Sequence, residues 1–128
     1  MNLPFVEHVG ARIVETGDGT SVLCLQVQPH HFNSHGVVHG GVMFTLADTG
    51  MGAALYPTLG PAERCATIEI KINYFRPVLE GELQCRSVLV HRGRTTATLE
   101  STLRVADTVV GKALGTFAVF VHRREPAG

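Results

Sequence analysis

The chain has 128 residues, a length that fits one domain with its own hydrophobic core. Apolar residues make up 45% of it and charged residues 17%, which excludes an intrinsically disordered protein. Eleven basic residues balance eleven acidic ones, so no net charge draws the chain to nucleic acid or to an anionic membrane. We therefore expect a single domain over residues 1–128 and a buried subunit interface.

From the sequence we expect neither a membrane span nor a secretion signal. Its longest apolar stretch, residues 41–59, carries Asp48 in the middle, and the N-terminus lacks a basic start followed by an apolar run. Cys24, Cys65 and Cys85 lie far apart, without CxxC spacing or a disulfide framework. These features predict a cytoplasmic protein and disfavour a catalytic cysteine.

A strand and a helix are the first elements that the pattern predicts. Residues 20–28 place Leu23, Leu25 and Val27 on one face, and this period of two is typical of a strand. The segment from Gly40 to Tyr56 is apolar in nearly every direction around a helix and stops at Pro57. We expect a buried helix there.

Four more strands are predicted after the helix, over residues 67–75, 82–91, 94–105 and 108–121. The first alternates strictly, with Ile68, Ile70, Ile72 and Tyr74 on one face and Thr67 on the other. Short turns join the later strands, so they should pair antiparallel. The predicted fold is therefore α+β, one buried helix against an antiparallel sheet of about five strands.

Asp48 is the most informative residue because it lies two turns inside an apolar helix. It is beyond the reach of N-capping, and burying it without a partner would cost several kcal/mol. One interpretation is a structural aspartate satisfied by Thr45, Thr49 or a neighbouring strand. The other is a general base or nucleophile in a dry cleft. An ionised Asp48 must accept at least one hydrogen bond.

The segment before the helix suggests a site for negative charge. Residues 30–41 read HHFNSHGVVHGG, and Gly40 and Gly41 stand where the helix begins. Their N–H groups should be unpaired and able to bind an anion or a developing oxyanion, although an ordinary glycine-rich turn has the same composition. Asn33 offers an amide donor nearby or satisfies its own turn.

The helix length separates these two candidate groups. Gly40 and Asp48 are eight residues apart, roughly 12 Å along one helix, and cannot touch the same reacting carbon. If they cooperate, they must come from different copies of the chain. The small residues of the second half of the helix would allow two antiparallel helices to approach.

The histidines do not support a metal site. His31, His35 and His39 are spaced four apart, as zinc ligands on a helix can be. Pro29, Asn33 and Gly36 make a helix improbable there, and we expect no metal. There is also no GxSxG, GxGxxG or P-loop motif.

Three motifs together resemble a known family. They are Asn33-x5-His39-Gly40-Gly41-x6-Asp48, ATIEIKINYFRP at 66–77 and GRTTATLE at 93–100. In this order, over roughly residues 20–121, the chain resembles the hotdog-fold acyl-CoA thioesterases of the phenylacetate-degradation (PaaI-like) branch. The resemblance implies a sheet wrapped around the helix, a homodimer with a continuous sheet, and usually a homotetramer.

The resemblance also implies catalytic roles. Asp48 matches the carboxylate that activates water or attacks the thioester, and Thr67 matches a residue that positions the water beside it. We therefore expect Asp48 to accept a hydrogen bond from the Thr67 hydroxyl or from a backbone N–H. Gly40 matches the backbone N–H that polarises the thioester carbonyl, with assistance from Asn33. His39 is expected to order the loop, with a smaller part in the chemistry.

Substrate binding requires cations for the phosphates of coenzyme A. The candidates are Arg76, Arg92 and Arg94, with Lys71 as a further one, although each is also a plausible surface charge. Gly41 is expected to contact the substrate beside Gly40. Coenzyme A is part of the substrate, so no separate cofactor is expected.

The predicted function is hydrolysis of an acyl-CoA thioester, with an aryl or arylacetyl acyl group. The alternative is an acyl-CoA-binding module without turnover, which would have no use for Asp48. A hydratase would need a paired histidine and carboxylate, and His39 precedes the helix that carries the acid. The sequence leaves open the acyl specificity, the pathway, the choice between base and nucleophile, and the choice between dimer and tetramer.

Overall fold

The fold consists of one six-stranded sheet and one long helix. The structure is a computed structural model and describes residues 2–121. The elements are α1 (Pro4–Val9), β1 (Ala11–Gly17), β2 (Thr20–Gln26), α2 (Gly40–Leu55), β3 (Glu63–Tyr74), β4 (Glu82–Arg92), β5 (Thr96–Val105) and β6 (Thr108–Val121). Short 3₁₀ turns at 29–31 and 56–58 flank α2.

The sheet is antiparallel throughout, in the order β1-β2-β4-β5-β6-β3. Helix α2 contacts all six strands, so the sheet curves around it. The α+β class and the helix held against an antiparallel sheet are confirmed. The prediction of about five strands is wrong, because β1 forms a sixth strand at one edge.

Helix α2 begins and ends where the sequence predicts, within one residue. His39 is its N-cap, and the helix ends at Leu55, just before the turn that contains Pro57. Its sheet-facing residues belong to two buried apolar clusters. Met43 and Leu46 lie in one, and Met51 and Leu55 lie in the other. Within residues 2–121, no helix has the length and hydrophobicity needed to cross a membrane.

Three serines lie under α2 between these clusters, and we call Ser21, Ser87 and Ser101 the serine row. They are neighbours across β2, β4 and β5 and are completely buried. The Ser21 hydroxyl donates to the Gly50 carbonyl at 2.6 Å, and Ser87 and Ser101 share a 2.7 Å hydrogen bond. Small side chains in this row let the helix backbone approach the sheet closely.

A bulge in β3 changes the predicted faces of that strand. Thr67 pairs with Phe117 and Glu69 with Thr116, so Ile68 is the extra residue. Thr67, before the bulge, and Ile70, after it, both lie opposite inward-facing residues of β6. Strict alternation would instead place Thr67 and Ile70 on opposite faces of the strand. The bulge therefore turns Thr67 towards α2 and leaves Ile68 57% exposed.

Candidate functional site

Asp48 lies in the middle of α2 and accepts a hydrogen bond from the sheet. The Thr67 hydroxyl donates to Asp48 Oδ1 at 2.7 Å, so the predicted hydrogen bond is present. The expected burial is wrong for the single chain, because the Asp48 side chain is partly exposed. The residues of α2 that are not fully buried, among them Thr45, Asp48 and Gly52, form one side of the helix, which we call the projecting side. Its second carboxylate oxygen, Oδ2, accepts no hydrogen bond from residues 2–121.

The start of α2 carries one free N–H rather than two. The Gly41 N–H donates to Nδ1 of His39 at 2.8 Å, so the expectation of an unpaired Gly41 N–H is wrong. The His39 ring acts as an N-cap, a role that serine, threonine, asparagine or aspartate usually fills. The Gly40 N–H has no acceptor among the described residues. Gly40 is therefore the available donor at this end of the helix.

Asn33 organises the loop that leads to Gly40. Its Oδ1 accepts the N–H of His35 at 2.8 Å and the N–H of Val37 at 3.3 Å. Its backbone N–H donates to the Val37 carbonyl at 2.8 Å. This self-contained turn is the structural alternative that the sequence left open, and it leaves the side-chain NH₂ available as a donor.

A cleft of about 420 Å³ connects Asn33 with Gly40. The end of β3 forms its other wall, with Tyr74, Phe75 and Arg76. Arg76 is exposed and lines the same cleft as Gly40, so this cleft carries a positive charge. Of the candidate phosphate-binding arginines, this one shares a cleft with the start of α2.

Arg92 and Arg94 lie elsewhere in the chain. Arg92 forms an ion pair with Glu63 at 2.9 Å, where β3 begins and β4 ends. Arg94 is exposed in the turn between β4 and β5. Within one chain these two side chains do not join the cleft that Arg76 lines.

The three evenly spaced histidines have three different environments. His31 is buried, with Nε2 donating to the Val9 carbonyl at 2.6 Å and Nδ1 accepting from the Gln28 N–H at 2.9 Å. His35 is exposed, and His39 caps α2. In the part of the chain that the structure describes, no three His, Cys, Asp or Glu side chains are grouped to hold a metal ion.

The thiols are poor nucleophiles. Burial raises the pKa of Cys85 to about 11 and raises the pKa of Cys65 as well. For Cys24, burial is the largest cause of a raised pKa, followed by the negative charge of Glu82. Since the thiolate is the reactive form, these environments favour a structural role for the cysteines.

A second cleft, of about 450 Å³, is apolar and lies between α1, β1 and the second half of α2. Val6, Ile13 and Ala53 line it, together with Thr49 and Gly52. Gly52 lies one turn after Asp48 on the same helix face, so this cleft borders the side of α2 that carries the carboxylate, and Asp48 itself is not part of its lining.

One chain does not bring the two candidate groups together. Gly40 and Asp48 belong to the same continuous helix, so they remain about 12 Å apart along its axis. Gly40 contacts the end of β3, while Asp48 contacts its middle. A second copy would therefore have to supply the missing Gly40 or Asp48. The surfaces open to it are the projecting side of α2 and the exposed edge strand β3.

Tyr74 is a contact of this site that the sequence analysis missed. The alternation placed it on the apolar face of its strand, yet its hydroxyl donates to the Gly40 carbonyl at 2.9 Å. A signal was present, because a tyrosine that ends an apolar strand face needs a partner for its hydroxyl.

Comparison with known proteins identifies the family. The model of the thioesterase superfamily matches residues 35–112, which include Gly40, Asp48 and Thr67. The chain belongs to the thioesterase superfamily. A protein of Archaeoglobus fulgidus that carries the name "Putative esterase" is 32% identical over 112 residues, covering 86% of this chain and 71% of that protein.

Solved structures of proteins with similar sequences share the fold. A conserved protein of Pseudomonas aeruginosa has a TM-score of 0.87 at 37% identity, covering 94% of this chain and 96% of its own. A mutant of the phenylacetic acid degradation protein PaaI from Thermus thermophilus has a TM-score of 0.83 at 29% identity, covering 91% and 98%. The predicted hotdog fold is confirmed, with six strands.

Proposed function

We propose that this thioesterase-superfamily member hydrolyses acyl-CoA thioesters to a free acid and coenzyme A. The observation that carries the proposal is the 2.7 Å hydrogen bond from Thr67 to a carboxylate in the middle of α2. That bond holds one oxygen of Asp48 and leaves Oδ2 free to accept a proton from water. A carboxylate held in this way on an exposed helix side suits a general base.

The chemical steps follow from these groups. Asp48 takes a proton from water while the water oxygen adds to the thioester carbonyl carbon. The oxyanion that forms accepts a hydrogen bond from the Gly40 N–H, which stabilises the transition state. The carbonyl re-forms as the C–S bond breaks, and the departing coenzyme A thiolate takes the proton that Asp48 accepted, which returns Asp48 to its ionised form. In the nucleophilic variant, Asp48 attacks the carbon itself, coenzyme A leaves as a thiolate, and water hydrolyses the resulting anhydride to the free acid and Asp48.

The proposed active site is shared between two copies of the chain. A separation of about 12 Å along α2 prevents one copy from supplying both Gly40 and Asp48 to one carbonyl group. We place the Gly40 N–H of one copy opposite the Asp48 carboxylate of the other, in a homodimer joined through the exposed strand β3. Pairing of such dimers into a homotetramer is the further expectation from the PaaI-like branch.

The two clefts suggest where the coenzyme A part and the acyl part of the substrate bind. Arg76 lines the same cleft as Gly40 and suits a phosphate of coenzyme A, whereas Arg92 is already paired with Glu63. The apolar cleft borders the Asp48 side of α2 and suits an uncharged acyl group such as an aryl or arylacetyl group. The similarity to a protein named for phenylacetic acid degradation supports the PaaI-like branch.

The decisive experiment measures free-thiol release from phenylacetyl-, hydroxybenzoyl-, medium-chain and acetyl-CoA. We expect Asp48→Asn to lower kcat by about 10²–10⁴-fold, the usual contribution of a general base. Asp18→Asn is the matched control, since it makes the same change in the exposed β1–β2 turn. Binding of CoA esters by the wild type without any turnover would instead favour the non-catalytic binding module.

The same Asp48→Asn chain tests the shared site. It is mixed with a Gly40→Ala chain, in which the added methyl would lie 2.9 Å from the Tyr74 ring and force the helix start to shift. A shared site predicts that mixed dimers recover activity, because one of their two sites has both groups intact. Additive activities without recovery would show that one chain supplies both groups.

A further inference from the structure

The peptide unit between Gly40 and Gly41 is held at both ends by side chains. Its carbonyl oxygen accepts the Tyr74 hydroxyl at 2.9 Å, and its N–H donates to Nδ1 of His39 at 2.8 Å. One residue earlier, the His39 N–H donates to the His31 carbonyl at 2.8 Å. Three hydrogen bonds therefore surround the Gly40 N–H, which itself has no acceptor in residues 2–121.

The Tyr74 ring also explains why glycine stands at position 40. A Cβ atom at this residue would lie 2.9 Å from both Cζ and the hydroxyl oxygen of Tyr74. The ring thus occupies the space that any other side chain would need. Because glycine has the freest backbone of all residues, a helix start built on two glycines needs outside contacts to keep one orientation.

We propose that Tyr74 is a positioning residue which, together with His39, keeps the Gly40 N–H aimed at the thioester oxygen. This inference rests on the proposed function. Neither side chain needs to touch the reacting atoms, since each acts through the Gly40–Gly41 peptide. An oxyanion-hole donor stabilises charge that develops mainly in the transition state, so its misalignment lowers kcat more than it changes KM.

The state and placement of the phenol fit this role. Burial raises the pKa of Tyr74, so the hydroxyl keeps its proton and remains a donor at neutral pH. Strand β3 carries both Tyr74, which contacts Gly40, and Thr67, which contacts Asp48. In the shared site, β3 of one copy therefore orients Gly40 and β3 of the other copy orients Asp48.

The first test is Tyr74→Phe, which keeps the ring against Gly40 and removes the donor. We expect kcat to fall 10- to 100-fold, KM to change less than two-fold and Tm to stay within about 3 °C of the wild type. Tyr74→Leu also removes the ring and should lower Tm in addition. Unchanged kcat in Tyr74→Phe, or a loss that lies entirely in KM, would overturn the inference.

The second test separates capping from proton transfer at His39. Asparagine is a good N-cap and can accept the Gly41 N–H, whereas alanine cannot. We expect His39→Asn to retain most of kcat with the pH profile unchanged, and His39→Ala to lose 10-fold or more. Equal losses in both variants would contradict a positioning role for His39.

A third measurement does not depend on turnover. Exchange of the Gly41 amide hydrogen, followed by NMR, should become at least ten-fold faster in Tyr74→Phe and in His39→Ala. A wild type without turnover would overturn the proposed function, and the amide exchange would still decide whether Tyr74 holds the peptide. Unchanged exchange in Tyr74→Phe would overturn the inference in either case.

Discussion

The two sides of helix α2 differ in how completely their polar neighbours are hydrogen-bonded. On the sheet side, the hydroxyls of the serine row bond to one another and to the carbonyls of Ala47 and Gly50. No buried side-chain nitrogen or oxygen within residues 2–121 lacks a partner. On the projecting side, Asp48 is partly exposed and only its Oδ1 accepts a hydrogen bond from this chain.

This difference separates polar groups that stabilise the fold from a polar group available for chemistry. The serine-row hydroxyls donate their protons to a carbonyl or to one another, and complete burial keeps a substrate away from their lone pairs. A carboxylate with one oxygen held and the other free has a fixed orientation and a remaining acceptor. We therefore expect substitutions on the sheet side to change stability, and those on the projecting side to change turnover.

The largest stability effect is expected from Gly50→Ala, compared with Gly52→Ala in the same helix. A Cβ at Gly50 would lie 2.5 Å from the Ser87 hydroxyl oxygen, whereas at Gly52 its nearest contact is 3.9 Å away, on Phe117. Overpacking costs about 1–3 kcal/mol, and alanine gains up to about 1 kcal/mol over glycine in a helix. Urea unfolding should therefore show Gly50→Ala destabilised and Gly52→Ala neutral or stabilised; the opposite order would refute the close approach at the serine row.

The projecting side is tested by Thr67→Val, with Thr116→Val as its matched control. Thr67 on β3 donates to Asp48 on α2, and Thr116 on β6 donates to Glu69 on β3. Both hydrogen bonds measure 2.7 Å. We expect Thr67→Val to lower kcat 10- to 100-fold, and Thr116→Val to change it less than two-fold. Each should alter the free energy of unfolding by about 1 kcal/mol or less. Equal kcat in the two variants would remove Thr67 from the mechanism.

The smallest effect on stability is expected at Glu63. Both of its carboxylate oxygens accept hydrogen bonds, whereas only one oxygen of Asp48 does. Its Oε1 accepts the Gly60 N–H and its Oε2 pairs with Arg92, and these contacts lower its pKa from the ordinary 4.5. A lowered pKa stabilises the fold above pH 4.5, and this contribution is lost as the pH falls through the folded-state pKa. Glu63→Gln should lower Tm at pH 7 without changing kcat, and the difference from wild type should shrink below pH 4.5. A constant difference across that range would contradict an ionised, bonded Glu63.

Much of the fold and one contact of the site could be predicted from the sequence. Pro57 and the two glycines mark the limits of α2, and alternation marks the later strands. The cost of leaving a carboxylate unpaired predicted that Asp48 has a hydrogen-bond donor, and the family resemblance pointed to Thr67 as that donor. Strand β1 was missed because its residues Arg12, Val14 and Glu15 are exposed and show no alternation to detect.

Other features depend on tertiary structure that a pattern does not encode. Residues 67–75 alternate without interruption in the sequence, and the bulge at Ile68 arises only when β3 pairs with β6. The cap on Gly41 was missed because histidine is not a usual N-cap. The exposure of Asp48 was missed because an apolar helix was taken to be covered on all sides, whereas the sheet of one chain leaves one side open.

The bulge at Ile68 also bears on aggregation. Strand β3 is a twelve-residue edge of the sheet, and a long edge strand is a template for unlimited edge-to-edge growth. The extra residue divides that edge into two straight segments, 63–67 and 69–74, with charged Glu69 and Lys71 in the second. A strand added at this edge, including that of the partner copy in the proposed homodimer, has to adopt a register that accommodates the bulge. The same irregularity that aims Thr67 therefore restricts the registers in which another chain can join, and opposes fibril-like stacking.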